Sequence, residues 1–362
     1  MSEARANRIP AIPLLAFLLA VWGGLTIISS QSGAGQPLFL AGKQLIFILI
    51  GLAAMAVSAA IPFPVHLRLA NVYAAFSILL LLALPVFGIR INGMLGWYEF
   101  GGFFFQPSEL AKGFFLLFLV KLALRPGTDW RKFGLLGGAA LCWIAPVLWQ
   151  PDFGTATVYL LGFAALYLLA GGAWRCFFAA CGAMVLTAAL FVAAKPYAWR
   201  RIVAFVDPDL DPGGASWHIR QFQLAIAHGG FFGAKLGRAI WSNAYLPLPY
   251  NDSAYATMAE TLGFLGALPV PLFYALLFYF LMKSALRRDL APAARLYLAG
   301  AAVLPAIQAL LHLSVNVGLL PPTGLTLPLV SYGGSSMVGT FVLLGLAMSA
   351  EKTAKITPEK AS

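Results

Sequence analysis

Leu69-Ala-Asn-Val-Tyr-Ala-Ala-Phe-Ser-Ile-Leu-Leu-Leu-Leu-Ala-Leu-Pro-Val-Phe87 holds no charged side chain. A spanning helix needs about 20 mostly apolar residues, and this stretch qualifies. Working outward, comparable runs recur at residues 11–29, 44–61, 110–124, 133–149, 155–170, 176–194, 261–282, 296–315 and 332–350. The expected fold class is an all-α polytopic membrane protein with about ten transmembrane helices. Composition agrees: the chain is 60% hydrophobic and 10% charged, with mean hydropathy +0.83, whereas soluble domains carry roughly 25% charged residues. No polar block is long enough to fold separately, so residues 1–362 read as a single membrane domain. Arg5 and Arg8 precede an apolar run too long for a signal peptide, and that run reads as an uncleaved first span.

The net charge of +11 does not point to nucleic acid, because Lys and Arg form no stripe with interleaved aromatics. Their placement follows topology instead. With the N-terminus inside, the cytoplasmic side collects Arg5, Arg8, Arg68, Arg125, Arg131, Lys132, Arg175, Lys283, Arg287, Arg288, Arg295, Lys352, Lys355 and Lys360, while the short outer loops hold only Arg90. Both termini are therefore expected in the cytoplasm. Residues 195–260 then form a long extracytoplasmic loop between helices 7 and 8, and within it 217–227 suit a helix lying on the membrane surface. Glu99, Glu109, Asp152, Asp207, Asp209, Asp211, Asp252 and Glu260 all fall on or near that outer side. Such a distribution suits surface chemistry better than a polar path through the membrane centre.

Four phrases carry residues capable of chemistry. Gln106-Pro107-Ser108-Glu109-Leu110-Ala111-Lys112 opens the fourth span, and its Glu109 and Lys112 share a helix face. They are either a self-satisfied pair or a cation left to meet an anionic head group. In Gln150-Pro151-Asp152-Phe153-Gly154-Thr155-Ala156, Asp152 is placed to cap the sixth span. Asn251-Asp252-Ser253-Ala254 ends the outer loop, where Asp252 is either a cap or a catalytic group, and Glu260 follows two helical turns later. Residues 316–336 hold too much Gly and Pro for a continuous helix, and imply a re-entrant loop lining an outer cavity. Within it Gly333-Gly334-Ser335-Ser336 are suited either to phosphate binding or to tight helix packing. His66, His218, His228 and His312 are scattered without ligand spacing, and Cys142, Cys176 and Cys181 suit packing, so no metal site is assigned.

Taken together, in order, with Ala225-Ile226-Ala227-His228-Gly229-Gly230, Glu260-Thr261-Leu262-Gly263-Phe264-Leu265-Gly266 and Pro322-Thr323-Gly324 through Ser331-Tyr332-Gly333-Gly334-Ser335-Ser336, these phrases resemble the SEDS family (shape, elongation, division and sporulation). The resemblance implies a peptidoglycan glycosyltransferase of the bacterial plasma (inner) membrane. Its members polymerise lipid II, an undecaprenyl-pyrophosphate-linked disaccharide peptide, at the outer face, beside a class B penicillin-binding protein. The family's essential Asp falls on Asp252, which is implied to take the proton from the acceptor sugar's 4-hydroxyl as it attacks the donor's anomeric carbon. The implied substrate-binding set is Lys112 for the departing pyrophosphate, with Arg200 or Arg201 as further cations, Glu109, Asp152 and Glu260 as orienting carboxylates, and Ser331 in the last phrase. No cofactor is assigned, and a divalent cation is left open. The chain departs from the family at Gly96, where an Arg usually precedes Trp97, at Ser253-Ala254-Tyr255, and at His228. Two other readings are a lipid II flippase and a non-catalytic scaffold for the penicillin-binding protein.

Overall fold

The computed structural model describes residues 11–31, 37–91, 93–182, 205, 217–236, 238–246 and 248–353. The fold is mostly helical. Its first three helices are α1 (Ala11–Gln31), α2 (Pro37–Ala60) and α3 (Phe63–Phe87). Three short strands follow: β1 (Ile89–Ile91), β2 (Met94–Phe100) and β3 (Phe103–Phe105). Then come α4 (Pro107–Ala123), α5 (Asp129–Trp149) and α6 (Phe153–Leu169). The outer segment holds α7 (Trp217–Gly229) and α8 (Ile240–Ala244), and the chain closes with α9 (Ala254–Ala267), α10 (Pro269–Ala285), α11 (Pro292–Asn316) and α12 (Gly334–Glu351). Four of these helices, α2, α4, α10 and α11, begin on a proline, whose missing N–H would have no partner in a first turn anyway.

Among the described residues, six helices are long and apolar enough to cross a membrane: α1, α2, α3, α5, α11 and α12. The pair α9 and α10 would add a seventh as one broken span, bent by 66° at its joint. The chain is a multi-pass membrane protein. Helices α2 and α3 leave Leu, Ile and Phe side chains exposed along much of their length, as lipid contact allows, whereas α11 and α12 are enclosed by the bundle. A Cβ on Gly339 would strike the carbonyl of Glu109, so a side-chain-free position lets α12 lie close against α4.

Three features refine the expected helical pattern. The stretch after α3 is an antiparallel β1-β2-β3 meander, turned at β2-β3 by Gly101-Gly102 with positive φ at both positions, the requirement of a two-residue hairpin loop. The run read as a single span over 261–282 is broken, because Gly263 sits at φ 70 and admits the backbone of residues 230–235 alongside. Of the run 176–194, residues 176–182 are helical and the remainder lies outside the described residues.

Candidate active site

A cavity of about 1610 Å³ opens between α2, the β meander, the start of α6, α7, residues 248–252 and residues 321–334. Residues 318–333 are indeed non-helical, and Leu325 to Ser331 are buried in the protein, which satisfies the rule that irregular backbone needs such cover.

Asp252 lines this cavity. Ser253, not Asp252, occupies the N-cap of α9, so Asp252 is not spent on capping. Its carboxylate has no hydrogen bond or ion pair among the described residues. Solvent reaches it through the cavity while protein surrounds its other sides, and that burial, helped by the charge of Asp152, pushes its pKa up to about 7. The backbone beside it is tightly held. Tyr332 N–H donates to Tyr250 O at 2.8 Å, Ser331 Oγ donates to Asn251 O at 2.8 Å, and Asn316 Nδ2 donates to Asp252 O at 3.0 Å.

Asp152 lines the same cavity but is fully employed. Its Oδ1 accepts from Thr155 N–H at 3.0 Å, capping α6, and its Oδ2 accepts from Gln106 Nε2 at 3.0 Å. Burial raises its pKa despite those bonds.

Lys112 lies elsewhere. Its Nζ meets Glu109 Oε1 at 2.5 Å and Gln308 Oε1 at 2.6 Å, and both charged side chains are buried. Open space beside it is about 10 Å³, no more than one water molecule occupies. α4 turns its Glu109–Lys112 face towards Gln308 of α11, and Lys112, expected at a departing pyrophosphate, is not among the residues that line the cavity. Ser331, expected at the substrate, is buried and bonded to Asn251 O and Leu327 N–H. Glu260 is buried too; it accepts from Trp241 N–H at 2.8 Å, Ser242 N–H at 2.7 Å and the Ser242 hydroxyl, and meets His228 Nδ1 at 2.8 Å. It thereby ties α7 and α8 to α9. Arg200 and Arg201 lie outside the described residues.

The cavity does hold a lysine, Lys43 from α2, seated 5.3 Å from the Phe103 ring centroid and 3.4 Å from Gly102 O. Sequence reasoning gave it no role, because no motif surrounds it. The available signal was a Lys beside Gln44 at the start of an apolar run. Among the described residues no three His, Cys, Asp or Glu side chains converge as metal ligands.

A mostly helical multi-pass membrane protein with an unpartnered carboxylate on a large cavity is the class these features define. Residues 9–356 match the family model FtsW/RodA/SpoVE, described as cell cycle protein, and the chain belongs to that family. It is 35% identical to the probable peptidoglycan glycosyltransferase FtsW of Thioalkalivibrio sulfidiphilus, over 91% of this chain and 86% of that one. The corresponding protein of Pseudomonas fluorescens is 34% identical, over 94% and 87%. A chain of a peptidoglycan synthase complex, solved to explain how polymerization and crosslinking are coordinated, superposes with a TM-score of 0.79 at 30% identity, covering 95% of this chain and 98% of that one. The rod shape determining protein RodA of Thermus thermophilus gives a TM-score of 0.69 at 29% identity, over 93% and 95%.

Proposed function

We propose that this protein is a peptidoglycan glycosyltransferase that polymerises lipid II at the outer face of the plasma membrane, with Asp252 as general base. The observation that carries the reading is the unpartnered Asp252 carboxylate on the large cavity, with a pKa of about 7. A base with its pKa near the working pH combines a usable deprotonated fraction with adequate proton affinity. Asp252 takes the proton of the acceptor sugar's 4-hydroxyl. The resulting oxygen forms the new bond to the donor's anomeric carbon, the bond from that carbon to the lipid pyrophosphate breaks, and configuration inverts. Lys43 is the cation we assign to the developing diphosphate charge, in place of Lys112. Asp152 sets the field around Asp252, while Glu109, Lys112 and Glu260 hold the framework.

The charge distribution supports cytoplasmic termini and an extracytoplasmic location for residues 195–260. The superposition with a chain of a synthase complex supports a class B penicillin-binding protein as the partner. Purified protein supplied with lipid II and that partner should yield glycan polymer, and Asp252→Asn should yield none. Equal polymer from both proteins removes Asp252 from the chemistry; translocation of lipid II without polymer replaces the reading with a flippase.

A further inference from the structure

We propose that Asn316 and Ser331 act as a two-point clamp that positions Asp252, each gripping one of the consecutive carbonyls of Asn251 and Asp252. The inference rests on the reading of Asp252 as the base. Because the Asp252 carboxylate has no side-chain partner among the described residues, where it can reach in the cavity depends on how its backbone is held. That backbone has two unusual holders. Asn316, at the end of α11, donates from Nδ2 to Asp252 O and to His312 O, both at 3.0 Å, and accepts at Oδ1 from Ala256 N–H at 3.0 Å. By accepting from Ala256 N–H, Asn316 caps the first turn of α9 from a different helix. The amide orientation is fixed, since reversing it would point a donor at the Ala256 N–H and an acceptor at two carbonyls.

Ser331 grips the preceding residue. Its hydroxyl donates to Asn251 O at 2.8 Å and accepts from Leu327 N–H at 2.9 Å, which joins the turn to the buried irregular segment. Both side chains are buried, Asn316 at 0% and Ser331 at 2% exposure. Neither lines the cavity, whereas Asn251 and Asp252 do. They therefore reach substrate only through Asp252, and are positioning residues. A displacement of about 1 Å at a reacting group can lower a rate about 10²-fold, so a held backbone is worth more here than a further contact.

The test uses full-length protein with lipid II and the class B penicillin-binding protein, and measures initial polymerisation rates against lipid II concentration and pH. Asn316→Asp keeps the acceptor for Ala256 N–H but sets an oxygen against two carbonyls; Ser331→Ala removes one hydroxyl. The expected result is a kcat lower by about 10²-fold for N316D and about tenfold for S331A, with KM for lipid II within about twofold of wild type. The acid limb of the pH profile should also move down as a loosened Asp252 becomes better hydrated. A purely structural role would lower the amount of folded protein without moving that limb. Wild-type kcat in S331A, or a loss confined to KM with an unmoved limb, overturns the clamp; S331A carries the test alone if N316D does not fold. Asp252→Asn run alongside separates the two ideas. An inactive D252N with unimpaired clamp variants sinks only the clamp, and a fully active D252N sinks the base on which it rests.

Discussion

The crevice on α4 and the cavity below α7 each hold a carboxylate and a lysine, yet they do opposite things with them. In the crevice, Glu109, Lys112 and Gln308 satisfy one another at 2.5 and 2.6 Å, and no room is left for a ligand. In the cavity and among the described residues, the Asp252 carboxylate has no partner and Lys43 Nζ meets the Phe39 and Phe103 rings and, at 3.4 Å, Gly102 O. A closed pair contributes to holding helices together; an open pair retains its charge for something that arrives. Chemistry is therefore expected where electrostatic satisfaction is incomplete, although the sequence phrase around Lys112 is the more conspicuous of the two.

The largest expected effect is at the open carboxylate. Asp252→Asn should lower kcat for polymerisation by about 10² to 10⁴-fold, the usual contribution of a positioned base, with little change in the thermal midpoint in detergent. Residual activity within about tenfold of wild type would put the two regions on an equal footing. Next comes the closed pair. Lys112→Met strands Glu109 in the protein interior and should cost about 3–5 kcal/mol of stability. Much of that should return in Glu109→Gln/Lys112→Met, measured by thermal denaturation in detergent. A K112M protein with the wild-type midpoint and a large rise in KM would return Lys112 to the substrate. Lys43→Met should do the reverse of K112M: an unchanged midpoint and a fall of about tenfold in kcat/KM, as expected for one half-buried cation facing a developing anion.

Much of the fold was legible because apolar length is a one-dimensional signal, as the stretch ending at Phe87 shows. The irregular segment before Gly334 was equally readable, from its glycines and prolines. The β meander was not anticipated, since residues 89–105 lie between two spans and both outer strands are only three residues long; Gly101-Gly102 was the available clue. The break at Gly263 was hidden inside an apolar run, because its cause is the backbone of residues 230–235 packing alongside. At the site, the place of Asp252 could be read from its position after a long loop. The fate of Lys112 could not be read, because its second partner, Gln308, is 196 residues away. Spacing puts Glu109 and Lys112 on one face of α4, but only tertiary packing decides where that face turns. The same holds for Asn316, whose partners in the Asp252 turn are distant in sequence.

The smallest effects concern pH, and they separate the two carboxylates of the cavity. With the Asp252 pKa at about 7, kcat/KM should rise with pH through that value and fall about tenfold per unit below it, because only the ionised carboxylate accepts a proton. Asp152→Asn removes the nearby negative charge, which should lower the Asp252 pKa and carry the acid limb to lower pH. The cap on α6 survives the change: the substituted amide oxygen can still accept from Thr155 N–H, and Gln106 can turn its own amide to offer an oxygen to the new NH₂. Burial is the larger cause of the raised Asp252 pKa and is untouched by this substitution, so the limb should move only part of the way towards the ordinary carboxylate range. A limb that returns all the way would make the Asp152 charge, not the enclosure of the turn, the reason Asp252 titrates near neutrality. A limb that does not move at all would mean that the two carboxylates, though they line one cavity, are too well screened from each other to act as a unit.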